Sequence, residues 1–160
     1  MHARVIRYDT GPRYDPLRPA ETIADDWAIL TLTDKIAEEF RPLDIATALP
    51  PKGTRLIMAG YPQDRAHLMT ADRDCQVLGA AAGGKVLVHD CRGVRGYSGA
   101  PLIGADGAAS ILGIHVATSQ SQGTPRMLAI PASGIAPTGP TTPAREPPCL
   151  IDLHCDGRTK

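Results

Sequence analysis

The segment Gly96-Tyr97-Ser98-Gly99-Ala100-Pro101-Leu102 holds the residues best suited to covalent chemistry. A serine between glycines, followed by proline and an apolar run, suits a tight turn that exposes a hydroxyl. The glycines let the chain curl so that successive N–H groups point at one spot, where a negative oxygen could form. A serine hydroxyl is a weak nucleophile and needs a base to take its proton. A carboxylate is available in Asp25-Asp26, directly before Trp27-Ala28-Ile29-Leu30-Thr31-Leu32, and a histidine in Leu112-Gly113-Ile114-His115-Val116-Ala117. Taken singly, these residues also suit an ordinary turn serine, a strand-initiating aspartate and a core histidine.

Their order along the chain resembles that of trypsin-like serine peptidases, of the compact bacterial, glutamyl-endopeptidase-like sort. The resemblance rests on an aspartate-strand, then G-x-S-G-x-P-L, then a G-I-H strand, and runs over roughly residues 3–130. It implies an acyl-enzyme on Ser98, an oxyanion held by the N–H groups of Gly96 and Ser98, and Asp26 as the carboxylate that orients the base. Asp26 is preferred to Asp25 because it matches the family's D-[IW]-A-x-L pattern. The resemblance also implies a Cys75–Cys91 disulfide tying a strand to the loop before the nucleophile. Substrate would lie against Val116, Ala117 and Thr118 as an added strand, with His115, Arg92 and Gly93 around its side chain. Arg92 stands where trypsin has an acid, which argues against cleavage after Lys or Arg. Tyr97 replaces the acid that digestive relatives use during activation.

One member is missing. The family's base lies in a T-A-A-H-C-like context well before the aspartate, and nothing in this chain matches it. His2, His67, His89 and His154 each lack that context and read as ordinary polar residues. The expectation is therefore an N-terminally truncated peptidase of little activity, lacking the part of its domain that bears the histidine. The alternative is a non-catalytic pseudo-peptidase that binds a protein partner.

The elements that must position these residues are short and apolar. Strands are expected at Ala3–Tyr8, Trp27–Leu32, Thr54–Gly60, His67–Leu78, Val86–His89, Ala100–Ile103, Ser110–Ala117 and Arg126–Ile130. Gly- and Pro-containing separators divide them, and Asp106-Gly107 reads as a hairpin turn. Asp34–Phe40 has a helical pattern. The fold class is thus all-β, which agrees with the resemblance: two packed Greek-key barrels with the site between them, the second complete and the first partial. The expected peptidase domain covers 1–131, and 132–160 forms a proline-rich tail expected to be disordered.

Bulk properties exclude other classes. The 160 residues suit one domain, and Gly 16 with Pro 15 favours many turns. Lys+Arg and Asp+Glu are equal at 17 each, so no net field draws the chain to nucleic acid or anionic membrane. No apolar run is long enough for a spanning helix, and the start carries no export signal. His89, Cys91, Cys149, His154 and Cys155 match no zinc spacing, so neither metal nor cofactor is expected. A monomer acting on protein or peptide is expected, and the resemblance implies a secreted or periplasmic setting.

Overall fold

The computed structural model describes residues 4–33, 40–107, 109–121 and 124–135. Nine strands form two sheets among these residues. The first sheet is a single antiparallel pair, β1 (Val5–Thr10) and β2 (Ala28–Leu32), with Tyr8 opposite Leu30. Between them lie a four-residue helix, α1 (Pro19–Thr22), and a 3-10 turn at Ile23–Asp25. The tight crossing at Gly11 requires glycine, because a Cβ there would lie 1.9 Å from the Asp25 carbonyl oxygen.

The second sheet closes on itself. It contains β4 (Arg55–Gly60), β5 (Thr70–Ala81), β6 (Val86–His89), β7 (Pro101–Gly104), β8 (Ser110–Ser121) and β9 (Thr124–Pro131). Their order is β8-β7-β4-β5-β6-β9, and β9 pairs back onto β8. A short β3 (Asp44–Ile45) adds to β8 in parallel. Alternation dictates this closure. On β4, Leu56 and Met58 point inward and are fully buried while Arg55 is exposed; Val77, Leu87, Leu102 and Ala129 fill the same interior. A closed ring satisfies every strand edge, which an open sheet cannot do. This is the complete barrel that the resemblance implied, and β1–β2 is the partial one.

The strand expectations hold with shifted ends. β1 runs Val5–Thr10 rather than Ala3–Tyr8. β5 begins at Thr70 rather than His67, because the 3-10 turn Gln63–Arg65 continues through Leu68 N–H to the Arg65 carbonyl, 2.8 Å. β8 extends to Ser121, beyond the last apolar residue, since its ladder with β9 continues from Thr118↔Met127 to Ser121↔Thr124. Backbone pairing, not apolar content, sets that length. Both β3 and α1 escape the pattern reading because each is too short to show a period. The helical pattern at Asp34–Phe40 falls on 34–39, outside the described residues, as does 136–160 of the proline-rich segment. Among the described residues no helix is long and apolar enough to cross a membrane.

Candidate functional site

Ser98 stands on an irregular turn between β6 and β7. Gly96 has φ +99° and Gly99 φ +86°, both in the left-handed region that favours glycine. Gly96 is constrained further, since a Cβ there would sit 2.6 Å from the Gln63 nitrogen and 2.7 Å from the Tyr61 oxygen. The turn is set by Tyr97 N–H to the Val94 carbonyl (3.2 Å), Gly99 N–H to the His115 carbonyl (2.8 Å) and Ala100 N–H to the Tyr97 carbonyl (2.8 Å). Among the described residues, the N–H groups of Gly96 and Ser98 have no backbone acceptor. The alternation leaves two amides free on either side of Tyr97. The Ser98 side chain is exposed, and its Oγ donates to the Val116 carbonyl at 3.4 Å.

Asp26 reaches the same place from the other sheet. The turn Ile23–Asp25 ends where Asp26 N–H donates to the Ile23 carbonyl (3.1 Å), and Trp27, buried, anchors the start of β2. The two aspartates diverge: Asp25 is buried and accepts from Arg13 Nε at 3.2 Å, whereas half-buried Asp26 faces a cavity of about 550 Å³. That cavity is lined by Asp26 and Ser98 together with Tyr14, Leu30, Gly99 and Val116. Burial raises the Asp26 pKa above the usual carboxylate value. Among the described residues no hydrogen-bond donor meets its carboxylate.

Four links pin the segment before Ser98 to β5. Gln76 N–H donates to Asp90 Oδ1 (2.6 Å), and Cys75 and Cys91 form a disulfide across a sequence separation of 16. Arg92 donates to Asp72 from its backbone (2.7 Å), from Nε (3.3 Å) and from Nη2 (3.3 Å). Thr70 Oγ1 and Tyr97 Oη are hydrogen-bonded. Closing a loop of that size is worth about 3 kcal/mol in an oxidising setting. Burial by itself raises the Asp72 pKa, but the hydrogen bonds and charge of Arg92 outweigh it and hold the carboxyl below its usual value. Sequence reading missed Thr70 and Asp72; the only signal was an aspartate of opposite charge to Arg92.

The other proposed substrate residues separate. Val116 borders the Ser98 cavity, while Ala117 and Thr118 continue along β8, Thr118 Oγ1 donating to Met127 Sδ at 3.1 Å. His115 points into the barrel, where its Nδ1 lies 3.2 Å from Nε2 of the fully buried His89. Its ring also abuts Gly93, whose added Cβ would lie 3.2 Å from His115 Nε2. Burial lowers the His115 pKa; burial first, and then the nearby His115, lower that of His89 to about 3. The His89 ring is therefore neutral at ordinary pH, and among the described residues its buried Nδ1 has no partner. Arg92 is mostly exposed and borders a different cavity, beside Asp72. No group of metal-binding side chains occurs among the described residues.

Comparison with known proteins gives a consistent picture. The profile of a family described as "Trypsin-like peptidase domain" matches residues 1–114. No curated protein sequence matches. Among solved structures, the chain is similar to neuropsin, a serine protease expressed in the limbic system of mouse brain. That match has a TM-score of 0.58 and 15% identity, covering 83% of this chain and 68% of neuropsin. It is also similar to the Rv3671c protease in an inactive form, with a TM-score of 0.54 and 21% identity, covering 82% of this chain and 61% of that one. A serine-to-alanine mutant of Rv3671c from M. tuberculosis, also inactive, gives a TM-score of 0.53 at 20% identity, covering 83% and 60%. The chain thus spans about two thirds of neuropsin and three fifths of the Rv3671c chains. At these identities the likeness establishes the fold.

Proposed function

The chain belongs to the trypsin-like peptidase family, and from that premise we propose that it is the Ser98-bearing part of a serine endopeptidase site. The supporting observation is that an exposed serine on a glycine turn and the Asp26 carboxylate line one cavity, although they come from different sheets. In this reading Ser98 Oγ attacks a peptide carbonyl and its proton passes to a base. The oxyanion takes the two N–H groups of Gly96 and Ser98, each such donor being worth about 3–4 kcal/mol in the transition state. Collapse of the intermediate expels the amine, which receives that proton, and water later frees the acyl group. Asp26, ionised and desolvated, would hold the base in its tautomer and stabilise its cation. Extended substrate would pair along Val116–Thr118.

The base is the component this arrangement still needs. Among the described residues no histidine lines the cavity, since His89 and His115 are enclosed in the barrel. Without that member a triad site retains about 10³–10⁴-fold acceleration over water. The hydrogen bond from Ser98 to the Val116 carbonyl favours a second reading, a pseudo-peptidase in which the cleft only binds a protein partner.

Labelling by a fluorophosphonate probe, followed by intact mass, separates the two. The expected result is slow modification confined to Ser98, lost in Ser98→Ala and accelerated by free imidazole, which can stand in for the base. Modification of another residue would remove the Ser98 assignment. No adduct even with imidazole would select the binding-only reading.

A further inference from the structure

A second and larger cavity, of about 680 Å³ and sharing no lining residue with the first, lies between the turn after β4 and the residues leading to Ser98. Three guanidinium groups border it, Arg65, Arg92 and Arg95, against two carboxylates, Asp64 and Asp72. Both carboxylates are engaged: Asp64 accepts from Arg65 Nε at 3.2 Å, and buried Asp72 accepts from Arg92. Among the described residues Arg95 has no acidic partner, and the side chains of Arg65 and Arg92 stay 61% and 85% exposed despite their ion pairs. Asp74, outside the lining, adds negative charge near Arg92. The remaining wall mixes apolar Pro62, Ala71, Val94 and Tyr97 with polar Gln63 and Thr70.

We propose that this cavity is a binding site for an acidic peptide segment, distinct from the Ser98 cleft. Its volume falls in the range of pockets that take small organic ligands, well beyond a lone ion. A lining that combines guanidiniums with apolar carbon fits a side chain with a carbon body and a carboxylate end, which Arg grips through paired N–H donors. The cavity also shares its walls with the nucleophile turn. Gln63 N–H donates to the Arg95 carbonyl at 2.8 Å, and the Gly96 backbone rests directly on Tyr61 and Gln63. A ligand bridging Arg65 and Arg95 therefore restrains residues 92–98 from outside the cleft.

The test is calorimetric titration of the folded chain with an acetylated tetraglutamate peptide, with a tetralysine peptide and inorganic phosphate as comparisons. Binding of the acidic peptide alone is expected, weakening as salt is raised. The double variant Arg65→Ala/Arg95→Ala, which removes only exposed side chains, should lose about tenfold or more in affinity, while Ser98→Ala should leave it unchanged. Amide exchange should slow in residues 92–98 on binding. Affinity indifferent to the arginine variant, or protection confined to other segments, would place the peptide elsewhere and overturn the proposal. Phosphate binding as tightly as the peptide would reduce the site to an anion hole and end the peptide assignment. None of these readouts depends on whether Ser98 is catalytic.

Discussion

The closed barrel and the β1–β2 pair draw on similar residues, yet they bury them very differently. In the barrel, Leu56, Met58, Leu87 and Leu102 are wholly enclosed. In the two-stranded sheet no residue of either strand is buried, and Ile6, Tyr8 and Leu30 stay 46–57% exposed. A ring of six strands supplies each apolar face with an opposite wall, whereas two strands have an inner face with nothing across it. The small unit is held instead at one end, by buried Trp27 and by the 3-10 turn packed against β9. The site divides the same way. Ser98 sits on a segment fastened to the barrel at four points, and Asp26 comes from the lightly held sheet. Ser98 is thus placed by a rigid wall and Asp26 by a marginal one.

Substitution sharpens this contrast most directly. Leu102→Ala should cost about 3–5 kcal/mol in chemical denaturation, combining lost transfer energy with a cavity in a closed core. Leu30→Ala, removing a side chain still 57% exposed, should cost under about 1 kcal/mol. Equal costs would mean that β2 is as well enclosed as the barrel and would dissolve the distinction.

Acid should act on the barrel first. The His89 pKa is lowered from 6.5 to about 3, so the unfolded chain binds the extra proton as pH falls through 6.5. The stability of the neutral, buried ring is complete above 6.5 and is lost progressively down to about 3, at about 1.4 kcal/mol per unit. Denaturation at pH 7 and pH 5 should differ by roughly 2 kcal/mol. His89→Leu should flatten that slope, and an unchanged slope would show that other groups govern it.

The smallest effect belongs to the open sheet. Because burial raises the Asp26 pKa, its charge costs stability above the folded pKa, and the cost fades as pH falls and the carboxyl protonates. Asp26→Asn should therefore raise the melting temperature slightly at pH 7, with no gain once the solution is acidic enough to neutralise Asp26. It should also slow the imidazole-assisted labelling of Ser98. A lowered melting temperature at pH 7 would mean that the ionised carboxylate is stabilised by its surroundings.

Much of the fold could be read locally. Alternation placed eight strands because inward residues must be apolar wherever a sheet faces a core, and glycine at 96 and 99 announced a turn because other residues resist positive φ. A two-residue strand and a single helical turn carry too little pattern to be seen, which hid β3 and α1. Ser98, Asp26 and Val116, singled out through their immediate neighbours, do line one cavity. The partners of Arg92 and His115 were not legible, since neighbours cannot say which strand a side chain will meet: Arg92 meets Asp72 on β5, and His115 meets His89 on β6.

By itself, the amino-acid order determined the strands and the glycine turn at Ser98, which follow from steric and hydrophobic preferences spanning a few residues, and its ordered motifs carried the resemblance to the family. Only the tertiary structure decided which distant groups share a space. It brought Ser98 and Asp26 to one cavity, enclosed both barrel histidines and set three arginines around another cavity. Those meetings depend on the register at which six strands close and, for Asp26, on how the β1–β2 sheet docks against that ring, and neither is a property of any single segment.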